Sequence, residues 1–132
     1  MKILGIGVDI VENKRIQKSI KNPLFKKRIY SFKELKQSNV VNNKVTYFSK
    51  RFAAKEAFSK AIGTGISRGI NFNEIIVHNI KSGKPSIRLI GNTKKIVHKI
   101  LKKKKFNIFL SLSDDKPFAV ATVVISIWTK KI

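Results

Sequence analysis

Two periodicities organise the apolar positions of the chain. Ile3 to Val8 reads as a strand ending at Asp9, and Gly5 and Gly7 leave room for another group to approach its backbone closely. From Ile10 to about Ile20 the pattern turns helical, since Ile16 and Ile20 share a face and lysines crowd the other. Asn22-Pro23 has the form of a cap followed by a first-turn proline, which opens a short helix through Tyr30. Ser31-Phe32-Lys33-Glu34 has the spacing of a capping box and starts the next helix, with a loop over Asn39 to Asn43. Over residues 45–62, Phe48, Phe52, Glu56 and Ser59 or Lys60 recur at helical spacing. Alanines at 53, 54, 57 and 61 favour that conformation, and Gly63-Thr64-Gly65 ends it.

Beyond that point strands dominate. Asn73 to Ile80 and Ser86 to Ile90 form two, joined through Ser82-Gly83-Lys84-Pro85. Asn92 caps a helix that gathers Ile96, Val97, Ile100 and Leu101 on one face. Phe106, Ile108, Leu110 and Leu112 alternate, residues 118–127 are β-branched, and Asp114-Asp115-Lys116-Pro117 turns one strand into the other. No repeat and no Pro/Gly/Ser linker divides the chain. The expectation is one α+β domain over 1–132, with about five mainly antiparallel strands packed with helices and a frayed tail at 129–132.

Composition narrows the function classes. A chain of 132 residues, 42% of them hydrophobic, can bury one core and is not disordered. With no cysteine, a disulfide scaffold, thiol catalysis and thiolate metal sites are excluded. The apolar runs are too short to span a bilayer, and the N-terminal stretch lacks a signal-peptide pattern, so a soluble cytoplasmic protein is expected. The net charge of +22 suggests polyanionic partners. Most of it is lysine, however, and lysine, isoleucine and asparagine are all abundant, a bias that AT-rich coding sequence imposes whatever the protein does. The arginines, at 15, 28, 51, 68 and 88, are more informative, because their planar forks suit phosphate and carboxylate.

Seven acids stand in this basic background. The capping box accounts for Glu34, and Glu12 and Glu74 read as solvated flanks, which leaves Asp9, Glu56 and the Asp114-Asp115 pair. Carboxylates from two elements in apolar settings suit a hard cation such as Mg²⁺, with phosphates and waters completing the octahedron. The alternative is that Asp9 caps the following helix and Glu56 pairs with Lys60 at i,i+4. Spacing does not choose between them. Arg51, Lys55 and Lys60 flank Glu56, and with the amides of Gly63-Thr64-Gly65 they would suit phosphate or form a solvated helix face. There is no P-loop, Gly5-Ile6-Gly7 lacks the third glycine of a dinucleotide fingerprint, no serine elbow is present, and His78 and His98 read as structural.

Two blocks carry a resemblance. Gly5-Ile6-Gly7-Val8-Asp9-Ile10-Val11 with Arg15-Ile16, followed by Arg51-Phe52-Ala53-Ala54-Lys55-Glu56-Ala57 with Lys60-Ala61-Ile62-Gly63-Thr64-Gly65, resemble the holo-(acyl-carrier-protein) synthase family of small 4'-phosphopantetheinyl transferases. Gly83-Lys84-Pro85 and Leu110-Ser111-Leu112-Ser113 are further landmarks. The resemblance implies transfer of the phosphopantetheine arm of coenzyme A to a serine of acyl carrier protein, for fatty acid biosynthesis. It implies Mg²⁺ at Asp9 and Glu56, with Lys60 also catalytic. Arg51, Ser59, Lys60 and Gly63 would line the coenzyme A site, with Pro85 near the nucleotide. Arg15 and the basic helix after it, including Phe25, would meet the carrier protein, and a homotrimer would have its active sites between subunits. One departure is Asp114, where the family commonly has histidine; it reads as a coenzyme A-binding residue that adds to the metal shell or serves as a base, or as a turn aspartate.

A basic nucleic-acid-binding or ribosome-associated module is the rival. Against it, the aromatics fall at core spacing rather than between basic residues, and no RNA-recognition or helix-turn-helix signature is present.

Overall fold

β1 (Lys2–Glu12) pairs antiparallel with β5 (Phe118–Ile127), which pairs antiparallel with β4 (Phe106–Asp115), giving a three-stranded sheet of order β1-β5-β4. β2 (Ile75–Asn79) and β3 (Pro85–Leu89) form a separate antiparallel hairpin. The helices are α1 (Asn13–Ser19), α2 (Pro23–Ile29), α3 (Phe32–Gln37), α4 (Lys44–Ile62) and α5 (Gly91–Ile100). This computed structural model describes residues 1–63 and 69–129. The expected amides of Thr64 and Gly65, Arg68 and the Lys130-Lys131 tail lie outside them. The α+β expectation, with five antiparallel strands, holds.

Local chemistry sets the helix starts. The Asn22 side chain accepts from the Leu24 amide at 2.9 Å, and Asn43 accepts from Thr46 at 3.0 Å. The capping box is complete: Ser31 Oγ accepts from the Glu34 amide at 3.1 Å, and Glu34 Oε1 accepts from the Ser31 amide at 2.9 Å. Gly63 closes α4 in the left-handed region at φ 83°.

α4 packs on β1 and β5, and its Ala53, Ala54, Ala57 and Phe58 are buried in the same core as Ala119, Ala121 and Val123 of β5. Small residues on both sides let the layers come close. A Cβ at Gly5 would overlap the carbonyl oxygen of Ala61, and one at Gly7 that of Ala57. The group that approaches the glycines of β1 is therefore the backbone of α4. On the other side of the sheet Ile6, Val8 and Ile10 point outward, each more than half exposed, beside Val124 and Val120 of β5 and Phe109 of β4. That face is apolar and uncovered.

Four expectations are corrected. β1 does not end at Asp9. Ile10 and Val11 continue it, opposite Val120 and Ala119, because ladder pairing with β5 outweighs the helical spacing of Ile16 and Ile20. Helix α5 is not capped by Asn92; it begins at Gly91, and its amides are held by Glu74. That carboxylate accepts from the Asn92 amide at 3.0 Å and the Thr93 amide at 3.1 Å, and also from the Thr93 hydroxyl at 2.8 Å and Asn71 Nδ2 at 3.1 Å. Partial burial works to raise the Glu74 pKa, but the hydrogen bonds from Thr93, Asn71 and Asn92 win and hold it below the usual carboxylate value.

Lys55 is the third correction, for it is not on a solvated face. It is fully buried, and its ammonium donates to Glu34 Oε1 at 2.6 Å and to the Phe72 carbonyl at 2.8 Å. Burial pushes its pKa down, to about 8, while Glu34 pulls it up. Glu34 Oε2 also accepts from the Val77 amide at 3.1 Å, so one carboxylate ties α3, α4 and β2 together. Fourth, β4 runs through Asp115, so Asp114 lies in the strand opposite Ala119 and the chain reverses at Lys116-Pro117.

Candidate active site

The chain directions of β1 and α4 are opposed, since Gly5 meets Ala61 and Gly7 meets Ala57. Asp9 follows on the same inward face of β1, opposite Ala121, and meets α4 at Lys60, one turn beyond Glu56. Burial raises the Glu56 pKa, and the charge of Asp9 raises it further; Lys60 and Arg15 pull it down. Two carboxylates from different elements thus feel one another, as groups sharing a site do.

Lys60 completes the group. Its ammonium donates to the Val8 carbonyl at 3.0 Å and to Asp9 Oδ1 at 3.1 Å. The i,i+4 pair of Glu56 with Lys60 is not formed, because Lys60 reaches across to β1. Among the described residues the ion pairs are Lys60–Asp9, Lys55–Glu34 and Lys50–Asp114, and Glu56 has none. Nor does Asp9 cap a helix: α1 follows Glu12, with no side-chain cap.

The two residues expected to meet a partner border this group. The Arg15 guanidinium lies 5.4 Å from the centroid of the Phe52 ring, and its charge acts on Glu56. Phe25 is half-buried, stacked on Phe52 at 6.1 Å and edge-on to Tyr30 at 6.3 Å.

Arg51 stands on a different face of α4. It is buried, with its guanidinium 3.6 Å from the centroid of the Tyr47 ring and Nη1 donating to the Tyr47 carbonyl at 3.5 Å; Nε has no protein partner among the described residues. Arg51 lines a cavity of about 1100 Å³ together with Lys33, Lys36, Lys50, His78 and Arg88. This basic wall draws on α3, α4, β2 and β3, so no local motif announces it. Asp114 reaches its edge through Lys50, whose ammonium is 3.3 Å away. Ser59 is buried and donates its hydroxyl to the Lys55 carbonyl at 3.1 Å. Gly63 is exposed at the end of α4, and Pro85 is half-buried at the start of β3.

Among the described residues no three His, Asp or Glu side chains cluster, so Asp9 and Glu56 stand as a pair. Two hard oxygen donors of this kind fit Mg²⁺ or a similar ion, which keeps waters and substrate phosphates in its remaining positions.

A model of the 4'-phosphopantetheinyl transferase superfamily matches residues 5–123. The holo-(acyl-carrier-protein) synthase of Pelagibacter ubique is 56% identical over 125 residues, covering 95% of this chain and 98% of that protein. The chain belongs to this family. Family resemblance extends to three dimensions. The crystal structure of the Neisseria meningitidis synthase matches with a TM-score of 0.84 at 36% identity, covering 94% of this chain and 98% of that one. The Bacillus anthracis synthase in complex with coenzyme A (3',5'-ADP) matches with a TM-score of 0.77 at 35% identity, covering 95% and 97%. The enzyme class of the chain is therefore that of the phosphopantetheinyl transferases.

Proposed function

We propose that this enzyme transfers the 4'-phosphopantetheine group of coenzyme A to a serine of apo acyl carrier protein, giving holo carrier protein and adenosine 3',5'-bisphosphate for fatty acid biosynthesis. The observation that carries the proposal is the convergence of Asp9 and Glu56 beside Lys60, on the strand and helix that hold the two family motifs. The coenzyme A complex of the Bacillus anthracis relative supports the choice of donor.

In this reading Asp9 and Glu56 hold Mg²⁺, which when bound supplies positive charge to the diphosphate oxygens where charge develops. Lys60, on a long and half-exposed stem, lies within reach of the same anion. Arg51, held flat by Tyr47, presents a fixed fork to the basic cavity, where Lys50, Arg88, Lys33 and Lys36 add the charge that a phosphorylated nucleotide needs. Gly63 and Pro85, which stand outside the lining of that cavity, are assigned to the coenzyme A side as well, with the buried Ser59 supporting from within α4. Arg15 and the basic α2, including Phe25, form the face that receives the acidic carrier protein.

The uncovered apolar face of Ile6, Val8, Ile10 and Phe109 supports assembly as a homotrimer, with neighbours completing each site. No helix among the described residues is long and apolar enough to cross a membrane, in keeping with a cytoplasmic enzyme. A nucleic-acid platform is disfavoured, because Phe48, Phe52, Phe58 and Phe72 are core residues rather than stacking surfaces.

The test is to mix the protein with coenzyme A, Mg²⁺ and apo carrier protein and to weigh the carrier by mass spectrometry. The carrier should gain one phosphopantetheine, and the gain should require a divalent ion. Glu56→Gln should keep the fold and lose more turnover than the ~10–100-fold that outer-shell changes at metal sites cost. An unchanged carrier mass with wild-type protein would overturn the proposal.

A further inference from the structure

Lys60 places its positive charge on the oxygen that a metal ion would need. Its ammonium bonds Asp9 Oδ1 at 3.1 Å and is steadied by the Val8 carbonyl at 3.0 Å. The two partners differ in freedom. Asp9 belongs to a strand paired with β5, and its side chain is 16% exposed, whereas that of Lys60 is 54% exposed on a four-carbon stem. The lysine is the member of the pair that can leave.

The local charges make its departure consequential. The formal charges of Asp9 and Glu56 are already matched in number by those of Lys60, which is bonded to Asp9, and Arg15, which acts on Glu56. A divalent ion entering this group must displace the ammonium from Asp9 or sit within a few ångströms of a like charge, and either course weakens its binding. A diphosphate alters the balance. It gives the Lys60 ammonium another anion to bond and returns Asp9 Oδ1 to the metal.

We infer that Lys60 couples divalent-ion binding to coenzyme A binding: its ammonium occupies Asp9 until a substrate phosphate draws it away, so the ion is held tightly only when the substrate is present. The inference rests on Asp9 and Glu56 as metal ligands, proposed above, and adds a thermodynamic link carried by one side chain. Linkage makes it reciprocal, so the ion tightens coenzyme A by the same factor, ordinarily ~5–150-fold for coupled sites.

The experiment is a titration of Mn²⁺ into the full-length protein, followed by the electron paramagnetic resonance signal of the free ion. It compares wild type, Lys60→Met and Lys60→Arg, each with and without coenzyme A, and circular dichroism verifies the fold. Without coenzyme A, Lys60→Met should bind Mn²⁺ at least about 5-fold more tightly than wild type, and Lys60→Arg, which keeps the charge, should not. The tightening produced by coenzyme A should be smaller in Lys60→Met than in wild type. Equal or weaker Mn²⁺ binding by folded Lys60→Met without coenzyme A would overturn the coupling. If wild type bound Mn²⁺ in a manner abolished by Glu56→Gln while Lys60→Met changed nothing, the metal site would stand and only the coupling would fall. If wild type bound no Mn²⁺ even with coenzyme A, the metal reading would fall and take the coupling with it.

Discussion

A side chain at Gly7 would begin where the carbonyl oxygen of Ala57 lies. The obstacle is backbone, so it cannot yield by changing rotamer. Gly7→Ala is therefore expected to cost at least the ~1–3 kcal/mol of ordinary overpacking and to push α4 away from β1. Chemical denaturation measures the first effect. The second should show as weakened divalent-ion binding, since Asp9 and Glu56 are carried by the two elements forced apart.

Lys55→Met should destabilise the protein by ~3–5 kcal/mol, because it leaves the Glu34 carboxylate buried without its cation. Combining it with Glu34→Gln should recover part of the loss, since glutamine can keep the capping-box bond to Ser31 while removing the orphaned charge. Urea unfolding of the two single variants and the double variant checks this. A double variant less stable than Lys55→Met would contradict it.

Acid sensitivity should trace in part to Glu74. Its carboxyl is held below the ordinary value of 4.5, so its contribution is fully present above the unfolded-state pKa and is lost as pH falls through the folded-state pKa. Glu74→Gln should lower stability near neutral pH by the ~0.5–2 kcal/mol of a helix cap and reduce the loss of stability on acidification. Thermal melting from about pH 7 to about pH 3 reads the difference.

Arg15→Gln should slow association with the carrier protein at low salt. The gap from wild type should close as ionic strength rises and the Debye length shrinks below ~10 Å. Stopped-flow binding at several salt concentrations tests this. Coenzyme A affinity should change less, and a rate indifferent both to the substitution and to salt would remove Arg15 from the docking face.

How far the sequence carried these conclusions varied with the range of each interaction. β5 was legible over its full length, because Ala119 to Ile127 is a β-branched and alanine-rich run with no competing period. α4 and the Ser31–Glu34 box were legible because their signals are local. The end of β1 was not: Ile10 and Val11 suit either conformation, and only Val120 and Ala119, distant in sequence, decide. Glu74 escaped for the same reason, its partners Asn92 and Thr93 being 18 and 19 residues on. Lys55, between Ala54 and Glu56, gave no sign that Glu34 would hold it in the core. At the site, Asp9 and Glu56 stood out as acids without an ordinary role, yet their meeting depends on how Gly5 and Gly7 seat against α4. The basic wall around Arg51 is assembled from four elements and has no linear trace.

The two faces of β1 carry opposite messages, with glycines, Asp9 and Val11 inward and Ile6, Val8 and Ile10 outward. A slip of one residue against β5 would drive isoleucine into the backbone of α4 and turn the Asp9 carboxylate out to the far side of the sheet. Misthreading at this strand would not yield a folded but inactive enzyme, because the alignment that lets the helix settle is the one that delivers its acid.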